Sequence, residues 1–363
     1  MTATVAVLYL GRKQGMGEVR RVGSLQSIFE AAGARVVAVP LLGDHGVRMA
    51  RPPAPSQAGA VVRGHAMAET LAWSLPSVRE ALRALAPDAV VSVTGRAFHP
   101  TLTASAPVFI LDYVDRLATS YRDRAAVEQA WGKRTLYRAL VRTSARFEAR
   151  PRPAVRRVAA GWNDAGLLEA EWLPNVVTVP PEPSTAPTPD HDVLFFGNLA
   201  YPPNVSALHQ LSDLWPDVRA RRPETSVLVA GANPTPEVLG IARAHDWDVE
   251  GPFDDVVTLC RRARVAVAPL VHTAGIQNKV LEAASAGVAQ VATPQAVAGF
   301  RPGLPIRVAE PGRAFVDALV DLLEDAPTRT REAEEARAHV SAEYVPEAWA
   351  EWAESALVGR RHH

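Results

Sequence analysis

Lys279 and Glu282 stand three residues apart in HTAGIQNKVLEAASAG, residues 272–287. On a helix that spacing puts the ammonium and the carboxylate on one side. Ala283, Ala284, Ser285, Ala286 and Gly287 keep the other faces small enough to pack close against a sheet. Just upstream, Gly275 lets the backbone approach a ligand. A cation near a helix start is disfavoured by the helix dipole, by a few tenths to about 1 kcal/mol, so Lys279 makes more sense if an anion shares the site. The other reading is a surface ion pair, which is worth little. Position favours chemistry: the loop leaves the apolar strand RVAVAPL (264–270) at its carboxyl end, where ligands bind in open α/β sheets.

Other strand ends carry similar signals. In FFGNLAYPPN (195–204), Gly197 and Asn198 close a strand and a helix is expected from about Asn204, a good helix-capping residue. Free amides at such a helix start would suit a phosphate. LVAGANP (228–234) and VEGPF (249–253) place Gly231, Gly251 and Pro252 at two more strand ends. Tight turns alone account for these glycines equally well.

The elements that must position these residues alternate in type. Short apolar runs at 5–10, 35–41, 89–95 and 107–113 read as strands separated by helical stretches, including one over about 19–32, stretches on either side of Pro76 within 67–85, and surface helices within 121–149. Residues 43–66 read as an exposed Gly/Pro/Arg-rich loop. PPEPSTAPTPDHD (180–192) holds five prolines and reads as a stiff linker. Beyond it the alternation is cleaner: strands at 192–199, 226–231, 247–253, 264–270, 289–294 and 306–310, with helices around 204–215, 236–245, 255–262, 277–287 and 312–325. The fold class is therefore α/β: two Rossmann-like domains with an interdomain cleft as the default ligand site. The expected boundaries are 1–178 for the first domain, 179–191 for the linker and 192–343 for the second domain. The amphipathic stretch 344–363, with Trp349 and Trp352, is expected to cross back as a helix onto the first domain.

Composition narrows the class. A chain of 363 residues suggests roughly two domains. Basic and acidic residues number 39 each, which argues against a protein devoted to gripping nucleic acid. The single cysteine, Cys260, excludes an intramolecular disulfide and a cysteine metal cluster, and reads as a small buried hydrophobe. Ten histidines show no metal-ligand spacing. No apolar stretch approaches the roughly 18 residues of a membrane span, so the expected location is cytoplasmic and membrane contact at most peripheral. The Ala/Arg/Val/Pro bias suggests a high-GC bacterial source.

Several motifs together resemble a known family. AGIQNKVLEAASAG followed by VATPQAVAGF is similar to the nucleotide-sugar site of retaining glycosyltransferases of family 4, in particular a bacterial subgroup with a motif like RGIQNKVLEAMA. FFGNLAYPPNVSAL resembles that subgroup's opening strand. VTGRAFHP, ILDYVDRLATSYRDRA and FEARPRP…VAAGWNDA…LPNVVTVPP resemble its first-domain segments. The resemblance is strong over 194–300 and thin before about residue 90.

The resemblance implies a GT-B fold of two facing Rossmann-like domains, and a hexosyl- or aminosugar-type transferase that needs no metal or other cofactor. It implies a nucleoside-diphosphate sugar as donor and a small molecule or glycan as acceptor, in antibiotic tailoring or cell-surface glycan assembly. Nucleic acid is not an expected partner, and the protein is expected to be a monomer or homodimer. Glu282 matches the second glutamate of the family's Glu-x7-Glu motif and would bind the ribose hydroxyls, which a carboxylate suits because it accepts from both. Lys279 and the backbone over Ala274, Gly275, Ile276 and Gln277 would face the diphosphate and stabilise its charge as it leaves. Gly197, Asn198, Gly231, Gly251 and Pro252 would border the donor. Arg96, His99, Asp112 and Asp115, with Gly15 and Gly17 in the first glycine loop, would line the acceptor side. Lys279, Glu282 and Arg96 are the catalytic candidates.

This chain also departs from the pattern. Ala274 stands where the first glutamate would fall, 197–199 carries no basic residue, and Val176 replaces an expected glycine. A catalytically silent homologue that binds nucleotide or a partner enzyme is the alternative reading, and a nucleotide-sugar 2-epimerase of the same fold is a further rival.

Overall fold

The computed structural model describes residues 2–11, 16–42, 55–128, 130–181, 188–271 and 275–358. Two compact units are present: Met1–Val176 with Pro346–His363, and Val177–Val345. The chain crosses between them twice, and the crossings lie side by side where the Val177 amide donates to the Tyr344 carbonyl at 2.8 Å.

The first unit is a parallel sheet of β1 (Thr4–Tyr9), β2 (Arg35–Pro40), β3 (Ala89–Val93), β4 (Val108–Asp112), β5 (Arg156–Ala159) and β6 (Glu171–Trp172), in spatial order β2-β1-β3-β4-β5-β6. Its central strands are apolar on both faces because helices cover both, as a parallel sheet requires. One layer packs Trp73, Phe98, Phe109 and Phe147. The other packs Leu25, Ile28 and Phe29 of the Met16–Ala31 helix together with Ala353 and Ala356 of the Ala350–Val358 helix. Trp352 lies 6.1 Å from Phe29 and donates its indole N–H to Glu171 at 2.9 Å.

The second unit repeats the plan with β7 (His191–Phe196), β8 (Val227–Ala230), β9 (Asp248–Glu250), β10 (Ala263–Ala268), β11 (Ala289–Ala292) and β12 (Arg307–Val308), in order β12-β11-β10-β7-β8-β9. From β7 the chain winds outward through β8 and β9, then returns to place β10 on the other side of β7. The β7/β10 boundary is therefore the switch point of this sheet, and β1/β3 is that of the first.

Four expectations change. Residues 55–62 form a helix, Pro55–Val62, where a loop was expected; Gln57 anchors it by donating to the Thr70 and Trp73 carbonyls. The helical stretch before Pro76 is only the short 3-10 turn Ala68–Ala72, and Pro76 itself opens the Leu75–Leu85 helix, capped by Ser74. The helix after β7 starts at Pro202, so Asn204 sits in its first turn and Tyr201 takes the capping position. The Ala326–Glu343 helix escapes the sequence pattern because it buries only Ala333, Ala336 and Val340 beneath an Arg/Glu-rich surface. Residues 182–187 of the proline-rich linker lie outside the described residues.

Candidate active site

Beside the second unit's switch point, at the ends of β7 and β8, two backbone segments touch. A Cβ on residue 231 would sit 1.7 Å from the Gly197 carbonyl oxygen, and Gly231 holds φ at +152°, so only glycine fits. A Cβ on Gly197 would meet the Asn204 amide nitrogen at 2.8 Å and the Lys279 ammonium at 3.5 Å. The strand end is thus pared down to let those two side chains in.

Asn204 ties the cluster together. Its Nδ2 donates to the Asn198 carbonyl at 2.9 Å, and its Oδ1 accepts from Lys279 Nζ at 2.8 Å. The ammonium lies 4.2 Å from the centroid of the buried Phe195 ring, a cation–π contact at the end of β7. Lys279 comes from the first turn of the Asn278–Ser285 helix, with Gln277 at its N-cap position. Val280, Leu281, Ala283 and Ala284 bury the apolar side of that helix. Glu282 follows Lys279 by nearly one turn. Burial, and then the charge of Glu282, push the Cys260 thiol up.

Most amides of the turn after β7 are already engaged within the unit. The Gly197 and Leu199 amides donate to Ala230 and Ala232 carbonyls, those of Ala200 and Tyr201 donate to Asn198, and Asn204 donates to Tyr201. Pro202 and Pro203 have no N–H. The fixed positive charge at this strand end is the Lys279 ammonium.

Gly275 adopts φ +68°, and its carbonyl is packed so tightly that a Cβ on Gly299 would lie 2.3 Å away. The turn after the Pro294–Val297 helix therefore braces the start of the loop at Gly275 and Ile276. Thr293 holds the other end of this loop by donating to the Leu270 carbonyl at 2.6 Å. Ala274 lies outside the described residues. Gly251 and Pro252 are exposed beyond β9, two strands from β7, and are not part of the Lys279 cluster.

In the first unit, β3 and β4 both end in strained backbone. Thr94 has φ +64° and ψ +152°, and Val114 has φ +64°, a conformation a β-branched residue rarely adopts. Hydrogen bonds hold them there: the Thr94 amide donates to the Asp112 carbonyl at 2.7 Å and the Val114 amide to Asp112 Oδ1 at 2.8 Å. Strain of this kind clusters at functional edges. Directly beyond it, Arg96 donates to the Tyr121 hydroxyl at 2.9 Å and pairs with Glu69 at 3.3 Å, while Tyr121 donates to Glu69 at 2.9 Å. Asp115 joins this group electrostatically. Burial raises its pKa above the usual carboxylate range, against the pull of Arg96 and Arg124. A guanidinium, a phenol and two carboxylates in mutual reach make a surface suited to hydroxyl-rich ligands.

The other first-unit candidates sit elsewhere. Asp112 is fully buried, and its Oδ2 accepts from Arg21 Nε at 2.6 Å, so it serves the fold rather than a ligand surface. His99 is buried and accepts from the Thr101 amide through Nδ1, and burial lowers its pKa below the ordinary 6.5. Gly17 is an exposed residue of the Met16–Ala31 helix, and Gly15 lies outside the described residues. Glu69, Tyr121 and Phe195 were not singled out from sequence, although Tyr121 lies inside the quoted YRDRA segment, and Asn204 was read only as a helix cap.

Comparison with known proteins agrees with this architecture. The structure is similar to WaaG, a glycosyltransferase of lipopolysaccharide biosynthesis (TM-score 0.62, 17% identity, 98% of this chain and 100% of that one). It is also similar to HepE of Anabaena in complex with UDP (0.64, 11%, 99% and 100%). Sucrose-phosphate synthase of Thermosynechococcus elongatus gives 0.62 at 14% identity, over 96% and 97%. At such identities the likeness establishes the fold, a two-domain α/β architecture shared with GT-B glycosyltransferases. No curated protein matches the chain. Residues 190–325, which carry Gly197, Asn204, Lys279 and Glu282, match the family glycosyl transferases group 1.

Proposed function

We propose that the protein is a retaining glycosyltransferase that moves a hexosyl or aminosugar group from a nucleoside-diphosphate sugar to a small-molecule or glycan acceptor. The observation that carries this reading is the Lys279 ammonium, held at the β7/β10 switch point between Asn204 and the Phe195 ring. With most amides of the turn after β7 already engaged, this cation is the group that meets the donor diphosphate. Stabilising the charge that builds on the leaving diphosphate supplies the main catalytic effect. Glu282, further along the same helix, accepts from the ribose hydroxyls and sets how deep the nucleotide sits. On the first unit, Arg96, Tyr121, Glu69 and Asp115 bind the acceptor and orient its hydroxyl. No step in this scheme calls on a metal ion.

A binding-only homologue is the second reading, favoured by the uncharged Gly197–Leu199 turn. Calorimetry with uridine, guanosine, adenosine and thymidine diphosphates, followed by assay of the matching nucleotide sugars for slow hydrolysis, separates the two. Binding with turnover supports the transferase, and binding without turnover across acceptors supports the silent homologue. If none of the diphosphates binds, the donor-site assignment fails.

A further inference from the structure

The Trp131–Glu148 helix of the first unit carries a charge pattern unlike that of the chain as a whole. Basic and acidic residues balance overall, yet residues 131–150 hold six basic side chains, Lys133, Arg134, Arg138, Arg142, Arg146 and Arg150, against one acid, Glu148. That acid points inward: it is buried, accepts from the Ala118 amide and pairs with Arg116. Among the described residues, none of the first five cations makes an ion pair or a side-chain hydrogen bond. In the second unit, by contrast, Arg221, Arg262, Arg307 and Arg331 all pair with carboxylates.

The helix also sorts its faces. Tyr137, Leu140, Val141 and Phe147 pack inward. The outward stripe, at helical spacing, runs Trp131, Thr135, Arg138, Arg142, Arg146. Trp131 is 76% exposed at its head, and Leu136 is 55% exposed on its flank. Thr135, Ala139 and Thr143 keep the surface low between the arginines.

We propose that this face docks on an anionic lipid bilayer surface. The cations meet lipid phosphates, and the exposed indole settles among the headgroups, where amphipathic aromatic rings are favoured. A nucleic acid would satisfy the cations, but it gives no reason for an exposed indole and leucine on the same helix. Among the described residues no helix is long and apolar enough to cross a membrane, so the contact is with the surface. It is reversible and sensitive to salt.

Flotation of the intact protein with vesicles tests this independently of glycosyl transfer. The protein is expected to float with phosphatidylcholine vesicles containing phosphatidylglycerol, to stay behind with phosphatidylcholine alone, and to be released by high salt. Arg138→Glu with Arg142→Glu should lower partitioning more than about tenfold. Trp131→Ser should lower it severalfold, and both variants should keep the parent's circular dichroism and melting temperature. Failure to float, equal flotation with neutral vesicles, partitioning unchanged in both variants, or tighter binding to duplex DNA or RNA than to the anionic vesicles would each overturn the proposal.

Discussion

Lys279 donates to the Asn204 side-chain oxygen at 2.8 Å, joining the first turns of two helices that leave adjacent strands. The pair fixes where the cation sits without neutralising it, because the acceptor is an amide. Asn204→Asp would supply a permanent counter-charge that competes with an incoming phosphate. The affinity for the cognate nucleoside diphosphate should drop about tenfold while that for the bare nucleoside stays unchanged. Calorimetry with both ligands checks this; an equal loss for the two would mean that Asn204 acts only on folding.

The roles of Lys279 and Glu282 separate in the same assay. Lys279→Ala removes a charge-assisted contact to phosphate and should cost about 1.5–3 kcal/mol of diphosphate affinity. Glu282→Gln should weaken the ribonucleoside diphosphate more than its 2′-deoxy counterpart, because the lost acceptor serves the diol. Equal losses for the two sugars would remove Glu282 from the ribose.

Gly231→Ala tests the contact between strand ends. Its new methyl would overlap the Gly197 carbonyl at 1.7 Å on a backbone that L side chains rarely adopt. Destabilisation of the second unit by about 3 kcal/mol or more is expected in denaturant unfolding.

The buried Arg21–Asp112 pair makes an opposite point about a site residue. Asp112→Asn should destabilise the first unit by about 3 kcal/mol, since it leaves the Arg21 charge buried without a counter-ion. Nucleoside-diphosphate affinity, measured below the unfolding transition, should hold. A variant that folds as well as its parent would reopen Asp112 as a ligand contact.

His191 gives the second unit a pH signature. Burial works against its charge, but hydrogen bonds to Asp190 at 2.9 Å and Asp248 at 3.0 Å outweigh it, and its pKa rises above the ordinary 6.5. The protonated ring therefore stabilises the fold in full below about pH 6.5, and that contribution is lost as pH climbs through the raised value. Melting temperatures of the parent and of His191→Gln should converge at high pH and separate as pH falls.

Much of this architecture is legible in the residues. The strands of the second unit are short, apolar and evenly spaced, and Lys279 and Glu282 declare themselves because their helix is otherwise small and apolar. The partner of Lys279 is harder to see: Asn204 lies 75 residues upstream in sequence and looks like a helix cap. Its true place depends on Pro202 and Pro203 starting the helix early. Asp112 and Asp115 look alike in ILDYVDRL, yet one is buried against Arg21, 91 residues away, while the other reaches the Arg96 cluster. Pairings across the sheet leave no local trace in the chain. The Arg/Glu-rich surface of Ala326–Glu343 likewise hides a helix whose buried stripe is mostly alanine.

The double crossing between units sets an order on how this protein is made. Val177–Val345 is one unbroken stretch, so the second unit can close while the ribosome is still adding residues. The first unit cannot: the face carrying Leu25, Ile28 and Phe29 lacks its cover until Ala353 and Ala356 emerge. The half of the protein synthesised first is therefore the last to be finished, and until then the uncovered apolar side of its Met16–Ala31 helix is the part of the newborn chain most in need of protection.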